Sequence, residues 1–306
     1  MNVIFFGSSS FSVLPLKSIS QSVSAVVTKK AKPKGRGYVF EDNEVKKAAY
    51  ELNLPIIEIE SFRDEASILI REYKPDLFVV ASFGIIIPRW VLDIPSMGAI
   101  NIHPSLLPKY RGPSPIQWAL LNRDEKTGIT LINMNEKMDA GNIVYQEDID
   151  IDGDDDFIIL SERLSRRSAE IMLDMLSKIE VEGMPEGIEQ QHEVATFTKI
   201  ITKEMGKIDW NKTAAEIAGQ IKAFVLWPTA FSFFDDMLFK IFDGKIFYTD
   251  RKKLPGTILE VIKDGIVVQS SDRAILVKEV QLQNKKRMRA FDFANGYRGL
   301  VGKILK

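Results

Sequence analysis

The amino-acid sequence predicts an α/β protein of two domains, a Rossmann-like parallel sheet followed by a smaller OB-like β-barrel. In the first 150 residues, short apolar runs rich in Val, Ile and Phe alternate with amphipathic segments. Such alternation of strands and helices implies a parallel sheet with helices on its faces. Towards the end of the chain, strand-sized runs follow one another with turn residues between several of them, which is typical of a small barrel. A length of 306 residues suits two domains.

The first domain is expected at residues 1–183. Asn43 and Asp64 are well placed as N-caps of two helices, predicted at 43–52 and 64–73, and a long amphipathic helix is predicted at 155–181. The predicted strands are residues 3–6, 24–28, 55–59, 77–81, 99–103, 128–134 and 142–151. A dinucleotide fingerprint is missing, since Gly7 is the only glycine before Gly35, and this disfavours a Rossmann-type dehydrogenase.

The second domain is expected at residues 206–306, after a polar, aperiodic linker at 184–205. A helix is predicted at 214–224. The strand-sized runs are residues 230–234, 238–242, 256–262, 265–270 and 274–280. This pattern predicts a barrel of the kind that binds nucleic acids or sugars.

Composition excludes several classes of site. Because the chain has no cysteine, it can form no disulfide, zinc-thiolate site or cysteine nucleophile. Its only histidines are His103 and His192, so we expect no metal site. No apolar run approaches the roughly 18 residues of a membrane span, and no signal peptide is recognisable. We expect a cytoplasmic protein that acts as a monomer.

The net charge of −1 hides an asymmetry between the two parts of the chain. Residues 1–200 carry 22 Lys and Arg against 30 Asp and Glu, whereas residues 201–306 carry 19 against 12. The basic C-terminal part suggests an anionic partner. A chance cluster of solvated lysines would give the same count.

The residues that suit catalysis lie between 99 and 142. In the strand at 99–103, side chains alternate between the two faces of the sheet, so Asn101 and His103 share one face near its carboxyl end. An amide and an imidazole held side by side can stabilise the oxyanion of an acyl transfer. Alternatively, Asn101 caps a turn and His103 satisfies a buried carbonyl group.

Asp139 is the third candidate, in a loop between two predicted strands. A carboxylate next to an imidazole orients it and stabilises its charged form. It can also take a proton from an attacking ammonium group. The sequence Asp-Ala-Gly at 139–141 is also an ordinary turn signal.

Taken together, these motifs resemble the formyltransferase family that uses 10-formyltetrahydrofolate. The resemblance rests on NIHPSLLP at 101–108, YRG at 110–112, PIQ at 115–117, TGIT at 127–130 and MDAG at 138–141. It continues with IDW at 208–210, IKAF at 221–224, WP at 227–228 and PGTI at 255–258, and so covers nearly the whole chain. The resemblance implies that Asn101, His103 and Asp139 are the catalytic residues.

The same resemblance implies the ligands. It makes 10-formyltetrahydrofolate the co-substrate, without a metal. The residues implied to bind the folate are Ser105, Leu106, Leu107, Pro108, Phe83 and Gly84.

Initiator methionyl-tRNA is the acceptor that the resemblance implies. A basic loop after the second strand is similar to the family's loop that meets the acceptor end of the tRNA. The residues implied to bind tRNA are Lys30, Lys32, Lys34 and Arg36 in this loop, and Lys285, Lys286 and Arg287 in the second domain.

Two alternatives remain open from the sequence. The first is N-formylation of an aminosugar nucleotide, since sugar formyltransferases carry similar motifs. The second is a non-catalytic RNA-binding protein on the same scaffold, which would explain the charge asymmetry but not the retention of Asn101, His103 and Asp139.

Overall fold

The computed structural model of the protein describes residues 1–31, 33–34, 39–62 and 66–306. Its contacts divide into two compact units. The first consists of residues 1–115, 126–150 and 161–198, and the second of residues 116–125, 151–160 and 199–306. Among the described residues, no helix is long and apolar enough to cross a membrane.

A mixed sheet forms the centre of the first unit. Its strands in chain order are β1 (Val3–Gly7), β2 (Val23–Lys29), β5 (Ile56–Ile59), β6 (Leu77–Ala81), β7 (Ala99–His103), β8 (Lys126–Asn133) and β9 (Ile143–Asp150). Two short strands between β2 and β5, β3 (Pro33–Lys34) and β4 (Val39–Phe40), pair with each other. In the large sheet the order is β5-β2-β1-β6-β7-β8-β9. The first five of these are parallel, as predicted, but β8 is antiparallel to β7 and β9 is antiparallel to β8.

The expectation of a parallel sheet therefore holds for five of the seven strands, and β8 and β9 depart from it. Antiparallel neighbours can be joined by a short loop, whereas parallel ones need a crossover. The loop at 134–142 makes such a short connection between β8 and β9. Periodicity alone does not distinguish the two directions of a strand.

Helices complete this part of the chain. They are α1 (Val13–Ser18), α2 (Glu44–Glu51), α3 (Ala66–Glu72), α4 (Arg89–Leu92), α5 (Pro115–Asn122) and α6 (Phe157–Glu182). The predicted N-cap of α2 is confirmed, because the Asn43 side chain accepts a hydrogen bond from the Lys46 backbone N–H. The other predicted N-cap, Asp64, lies outside the described residues.

Aromatic side chains anchor the buried face beneath β1 and β6. Phe6 of β1 contacts Phe78 at a centroid distance of 4.8 Å and Phe83 at 5.4 Å, both edge-on. All three rings are buried. Edge-on aromatic pairs of this kind add to the stabilisation that burial of their area provides, and here they join β1 to β6 and to the loop that follows β6.

The second unit is built around an antiparallel sheet. Its elements are α7 (Ala214–Ala223), β10 (Ala230–Phe234), β11 (Met237–Phe247), β12 (Ile258–Ile262), β13 (Gly265–Gln269), β14 (Ala274–Leu282), β15 (Met288–Arg289) and α8 (Ala290–Asn295). The strand order is β10-β11-β14-β13-β12, with β15 on β14. The predicted β domain is confirmed. The structure adds that its sheet is antiparallel and that β11 is longer than predicted.

Residues 302–306 connect the two edges of this sheet. The Phe233 N–H of β10 donates to the Lys306 carbonyl oxygen at 2.8 Å. On the other edge, the Ile258 N–H of β12 donates to the Lys303 carbonyl oxygen at 2.8 Å, and the Leu305 N–H donates to the Gly256 carbonyl oxygen at 2.9 Å. These bonds close the sheet into the barrel that the sequence predicted.

Candidate active site

Strand β7 places the first two candidate residues. Asn101 and His103 lie two positions apart, so their side chains leave the same face of the sheet, as predicted. The parallel neighbour β6 pairs with β7 through Val80 and Asn101. Asn101 is 8% exposed and His103 is 4% exposed. Polar groups buried to this degree need partners inside the protein.

Asp139 lies in the loop that joins β8 to β9. The backbone of this loop folds tightly, since a Cβ on Gly141 would lie 1.7 Å from the Asn133 carbonyl oxygen. Only glycine fits this close approach. Asp139 itself has a left-handed φ of 49°, a conformation that costs an L-residue roughly 1–2 kcal/mol and that Asp tolerates better than most.

The Asp139 carboxylate brings the candidate residues together. Its Oδ1 accepts a hydrogen bond from Asn101 Nδ2 at 3.0 Å and lies 3.7 Å from His103 Nδ1. Its Oδ2 accepts a hydrogen bond from the Gly112 backbone N–H at 2.7 Å. The three residues predicted from the sequence therefore meet at one place in the first unit.

The hydrogen bond of His103 Nε2 determines the tautomer of the neutral ring. His103 Nε2 lies 2.9 Å from the Tyr110 carbonyl oxygen. A carbonyl oxygen can only accept, so Nε2–H is the donor. In the neutral imidazole, Nδ1 then carries the lone pair and faces Asp139. A second proton on the ring would have to sit on Nδ1, where it points towards the carboxylate.

Residues 105–108, which are expected to line the folate site, are fixed by hydrogen bonds and packing within the protein. Ser105 is buried, and its Oγ donates to the Lys109 carbonyl oxygen at 2.6 Å. Leu107 is also buried, and Leu106 packs so closely on Gly128 that a Cβ there would lie 2.4 Å from Leu106 Cδ2. Leu106 and Pro108 are partly exposed. Their contact with folate stays a prediction.

Phe83 and Gly84 lie at the carboxyl end of β6. Phe83 is buried, and Gly84, at a left-handed φ of 68°, is exposed. An open apolar groove continues from this loop. It is lined by Ser61, Phe62, Ile85, Ile86, Pro88 and Trp90.

The cationic residues expected to bind tRNA lie in two places. In the first unit Lys30 is exposed and Lys34 lies in β3, while Lys32 and Arg36 lie outside the described residues. In the second unit, three exposed residues follow one another between β14 and β15: Lys285, Lys286 and Arg287.

Arg287 differs from its two neighbours because it is paired. Its Nε and Nη2 donate to the two carboxylate oxygens of Glu279 at 2.7 and 2.6 Å. Its guanidinium also lies 4.2 Å from the centre of the Phe242 ring. The carboxylate of Glu279 raises the pKa of Arg287 above its usual value and offsets its charge.

Sequence reasoning missed residues that support the site through backbone groups. Tyr110 and Gly112 were noticed only as parts of a motif, yet their backbone groups bind His103 and Asp139. Gln190 was placed in the predicted linker, although its side chain donates to the Asp139 carbonyl oxygen at 3.0 Å. No periodicity signals a role of this kind. Among the described residues, no group of three or more His, Asp or Glu side chains is arranged to hold a metal ion.

Comparison with known proteins defines the family. A family profile described as formyl transferase matches residues 1–176, and a second, described as formyl transferase, C-terminal domain, matches residues 200–298. The chain belongs to the formyl transferase family. The resemblance found in the sequence is thereby confirmed, and the protein is an enzyme of the transferase class.

Curated relatives are similar to this formyl transferase over its full length. A methionyl-tRNA formyltransferase of Sulfurihydrogenibium sp. is 37% identical over 308 residues, which is 99% of each chain. A protein of the same name from Clostridioides difficile is 35% identical over 309 residues, covering all of both chains. One from Staphylococcus aureus is 38% identical over 308 residues, again 99% of each.

Solved structures share the fold of this formyl transferase at lower identity. HypX from Aquifex aeolicus has a TM-score of 0.68 and 16% identity over 99% of this chain, which spans about half of HypX (48%). The sugar 3N-formyl transferase WlaRD has a TM-score of 0.66 and 20% identity, covering 94% of this chain and 99% of that one. Methionyl-tRNA formyltransferase from Clostridium thermocellum has a TM-score of 0.57 and 15% identity, covering 92% and 98%.

The geometry of His103 predicts its tautomer. In the neutral form, the proton should be on Nε2, because that atom donates to the Tyr110 carbonyl oxygen. Long-range ¹H–¹⁵N correlation spectra read the protonated nitrogen directly, and two histidines give a simple spectrum. The exposed His192 is assigned by the variant His192→Gln. A neutral His103 with its proton on Nδ1 would contradict this description of the site.

Proposed function

We propose that this formyl transferase transfers the formyl group of 10-formyltetrahydrofolate to the amino group of initiator methionyl-tRNA. The observation that carries the proposal is the convergence of Asn101 and His103 on Asp139, at 3.0 and 3.7 Å. It occurs in a chain whose full-length relatives, at 35–38% identity, are named methionyl-tRNA formyltransferases.

Asn101 and His103 are proposed to hold the developing oxyanion. When an amine attacks a formyl carbon, the carbonyl oxygen becomes negative, and preorganised donors stabilise that charge. The Asn101 amide has two N–H groups, of which one donates to Asp139. The second is available to the oxyanion.

His103 can donate to the same oxyanion only from Nδ1, because Nε2–H is bound to the Tyr110 carbonyl oxygen. The imidazole must therefore carry both protons when it stabilises the negative charge.

Asp139 is proposed to accept the proton of the attacking amine and to transfer it to the leaving group. It accepts the proton that the attacking nitrogen loses as the new C–N bond forms. That proton then passes to the departing folate nitrogen as the old C–N bond breaks and the carbonyl group re-forms. General acid–base assistance of this kind is worth roughly 10²–10⁴ in rate.

The groove beside Gly84 suits the folate. 10-Formyltetrahydrofolate supplies the formyl carbon as the electrophile. Its flat rings need an apolar surface, and Ile86 and Trp90 are exposed in the groove. The groove-lining residue Ile85 directly follows Gly84, just beyond the carboxyl end of β6, and ligands of open α/β sheets bind at such strand ends.

The tRNA part of the proposal is tested with a panel of acceptors. Purified protein is mixed with 10-formyltetrahydrofolate and, separately, with charged initiator methionyl-tRNA and an aminosugar nucleotide. We expect formylation of the methionyl amine and no measurable formylation of the sugar amine. Preference for the sugar would establish the alternative N-formyltransferase. Absence of single-turnover transfer to either would favour a non-catalytic RNA-binding protein.

Replacing Asp139 with Asn tests the proton step. The amide keeps the size of the side chain but lacks the charge, so we expect kcat to fall by about 10²–10⁴-fold. Folate affinity, measured by fluorescence titration, should change little. The exposed Asp174 on α6 offers a matched control, and Asp174→Asn should leave kcat unchanged. Near-normal turnover of Asp139→Asn would refute the assigned role.

Lys285 and Lys286 should contribute more to tRNA affinity than Arg287. Both lysines are exposed, whereas the Arg287 charge is offset by Glu279. Each lysine that contacts a phosphate adds about 1 to the slope of log K against log salt. We expect Lys285→Ala and Lys286→Ala each to reduce this slope, and Lys178→Ala, at an exposed position on α6, to leave it unchanged. Slopes equal to that of the unaltered protein would remove both lysines from the tRNA interface.

A further inference from the structure

Residues 190–198, which follow α6 in the first unit, lie along the loop that precedes α5. The Arg111 N–H donates to the Thr196 carbonyl oxygen at 2.9 Å, and the Thr198 N–H donates to the Arg111 carbonyl oxygen at 2.8 Å. The Tyr110 N–H donates to Thr196 Oγ1 at 2.8 Å. The backbone that binds His103 and Asp139 is thus held from its outer side by this segment.

Gln190 connects the same segment to the Asp139 loop. Its Nε2 donates to the Asp139 carbonyl oxygen at 3.0 Å and to the Gly141 carbonyl oxygen at 2.7 Å. Its Oε1 accepts from Arg111 Nε at 3.1 Å and from Arg111 Nη2 at 2.6 Å. The amide has two donors and two acceptor positions, and all four are used.

Both side chains in this contact are buried, at 4% exposure each for Gln190 and Arg111. Arg111 Nη2 also lies 2.9 Å from His192 Nδ1, which accepts from it. Buried polar groups with all partners satisfied hold a loop in one conformation, whereas a missing partner is costly. The contact therefore joins two loops that each carry part of the site.

We propose that Gln190 is a positioning residue for Asp139. This inference rests on the proposed formyl transfer and extends it to a residue that does not touch the substrate. Asp139 is held at a left-handed φ of 49°, so its backbone needs external support to keep the carboxylate near His103. Gln190 supplies that support through the Asp139 and Gly141 carbonyl groups, and Arg111 fixes Gln190 in turn.

Glutamine is required because the contact needs a donor and an acceptor on one side chain. A glutamate at position 190 would still accept from Arg111, but it would place negative oxygen atoms against the Asp139 and Gly141 carbonyl groups. Gln190→Glu therefore breaks the link to the Asp139 loop while it keeps the link to Arg111. Gln191 is exposed and directly adjacent, so Gln191→Glu makes the same chemical change as a control.

The kinetic test compares these variants in formyl transfer to methionyl-tRNA. We expect Gln190→Glu to lower kcat by about 10–100-fold, since a misplacement of about 1 Å can cost 10²-fold. The KM for each substrate should change by less than about threefold, because substrate contacts are retained. Gln191→Glu should match the unaltered protein. A Gln190→Glu enzyme with kcat within twofold of normal would overturn the inference.

A double-mutant comparison with Asp139→Asn distinguishes a positioning role of Gln190 from a purely structural one. In an Asp139→Asn background the carboxylate is absent, so Gln190→Glu should cost less than about threefold further. A purely structural role predicts the same loss in both backgrounds and would refute positioning. Gln190→Leu, which lacks both hydrogen-bonding groups, is measured as a second variant. If one of the two variants fails to fold, the other still provides the test.

Amide hydrogen exchange gives a readout that needs no substrate. Peptides covering residues 134–142 should exchange faster in Gln190→Glu than in the unaltered protein and in Gln191→Glu. If the unaltered protein fails to formylate methionyl-tRNA, the proposed function fails, and exchange alone decides the inference. Unchanged exchange at 134–142 would then overturn it, and faster exchange would support it.

Discussion

The carboxylate of Asp139 is the point on which the geometry of the site depends. One oxygen accepts from the Asn101 amide, and the other accepts from the Gly112 N–H. A partly buried carboxylate is stable only if such donors replace the water it loses. Because the donors come from β7 and from the loop that precedes α5, forming these bonds brings three segments together. The arrangement of polar groups at this end of β7 thus provides the hydrogen bonds that the Asp139 carboxylate needs.

The sequence predicted the parts of the site that follow from local pattern. Strand alternation placed Asn101 and His103 on one face, and the structure confirms it through their shared approach to Asp139. It did not predict that β8 and β9 are antiparallel to their neighbours, because strand direction depends on the connections between strands rather than on periodicity. Nor did it predict the contacts of Gln190, since a polar, aperiodic segment gives no local sign of distant backbone partners. The domain limits at 183 and 206 stay predictions, and residues 161–198 share most of their contacts with the first unit.

Not every cationic residue of the second unit is equally available to an anionic ligand. The sequence counts Arg287 and Arg289 as cationic, yet they bind the carboxylates of Glu279 and Asp292 at 2.6–2.9 Å. A guanidinium that is already paired with a carboxylate offers less to a phosphate than its formal charge suggests. An anionic ligand of this unit would therefore be attracted mainly by lysines such as Lys285. Only the structure distinguishes these two kinds of cation.

Closure of the barrel by residues 302–306 has a consequence for self-association. Ser232 Oγ donates to the Lys306 carbonyl oxygen across 74 positions of the chain, so this contact joins distant parts of the polypeptide. Long-range contacts of this type are slow to form. Until they form, the backbone groups of β10 and β12 that bind this segment are unpaired, and unpaired strand edges are templates for aggregation. Residues 302–306 thus cover backbone groups of both edge strands that could otherwise pair with another strand.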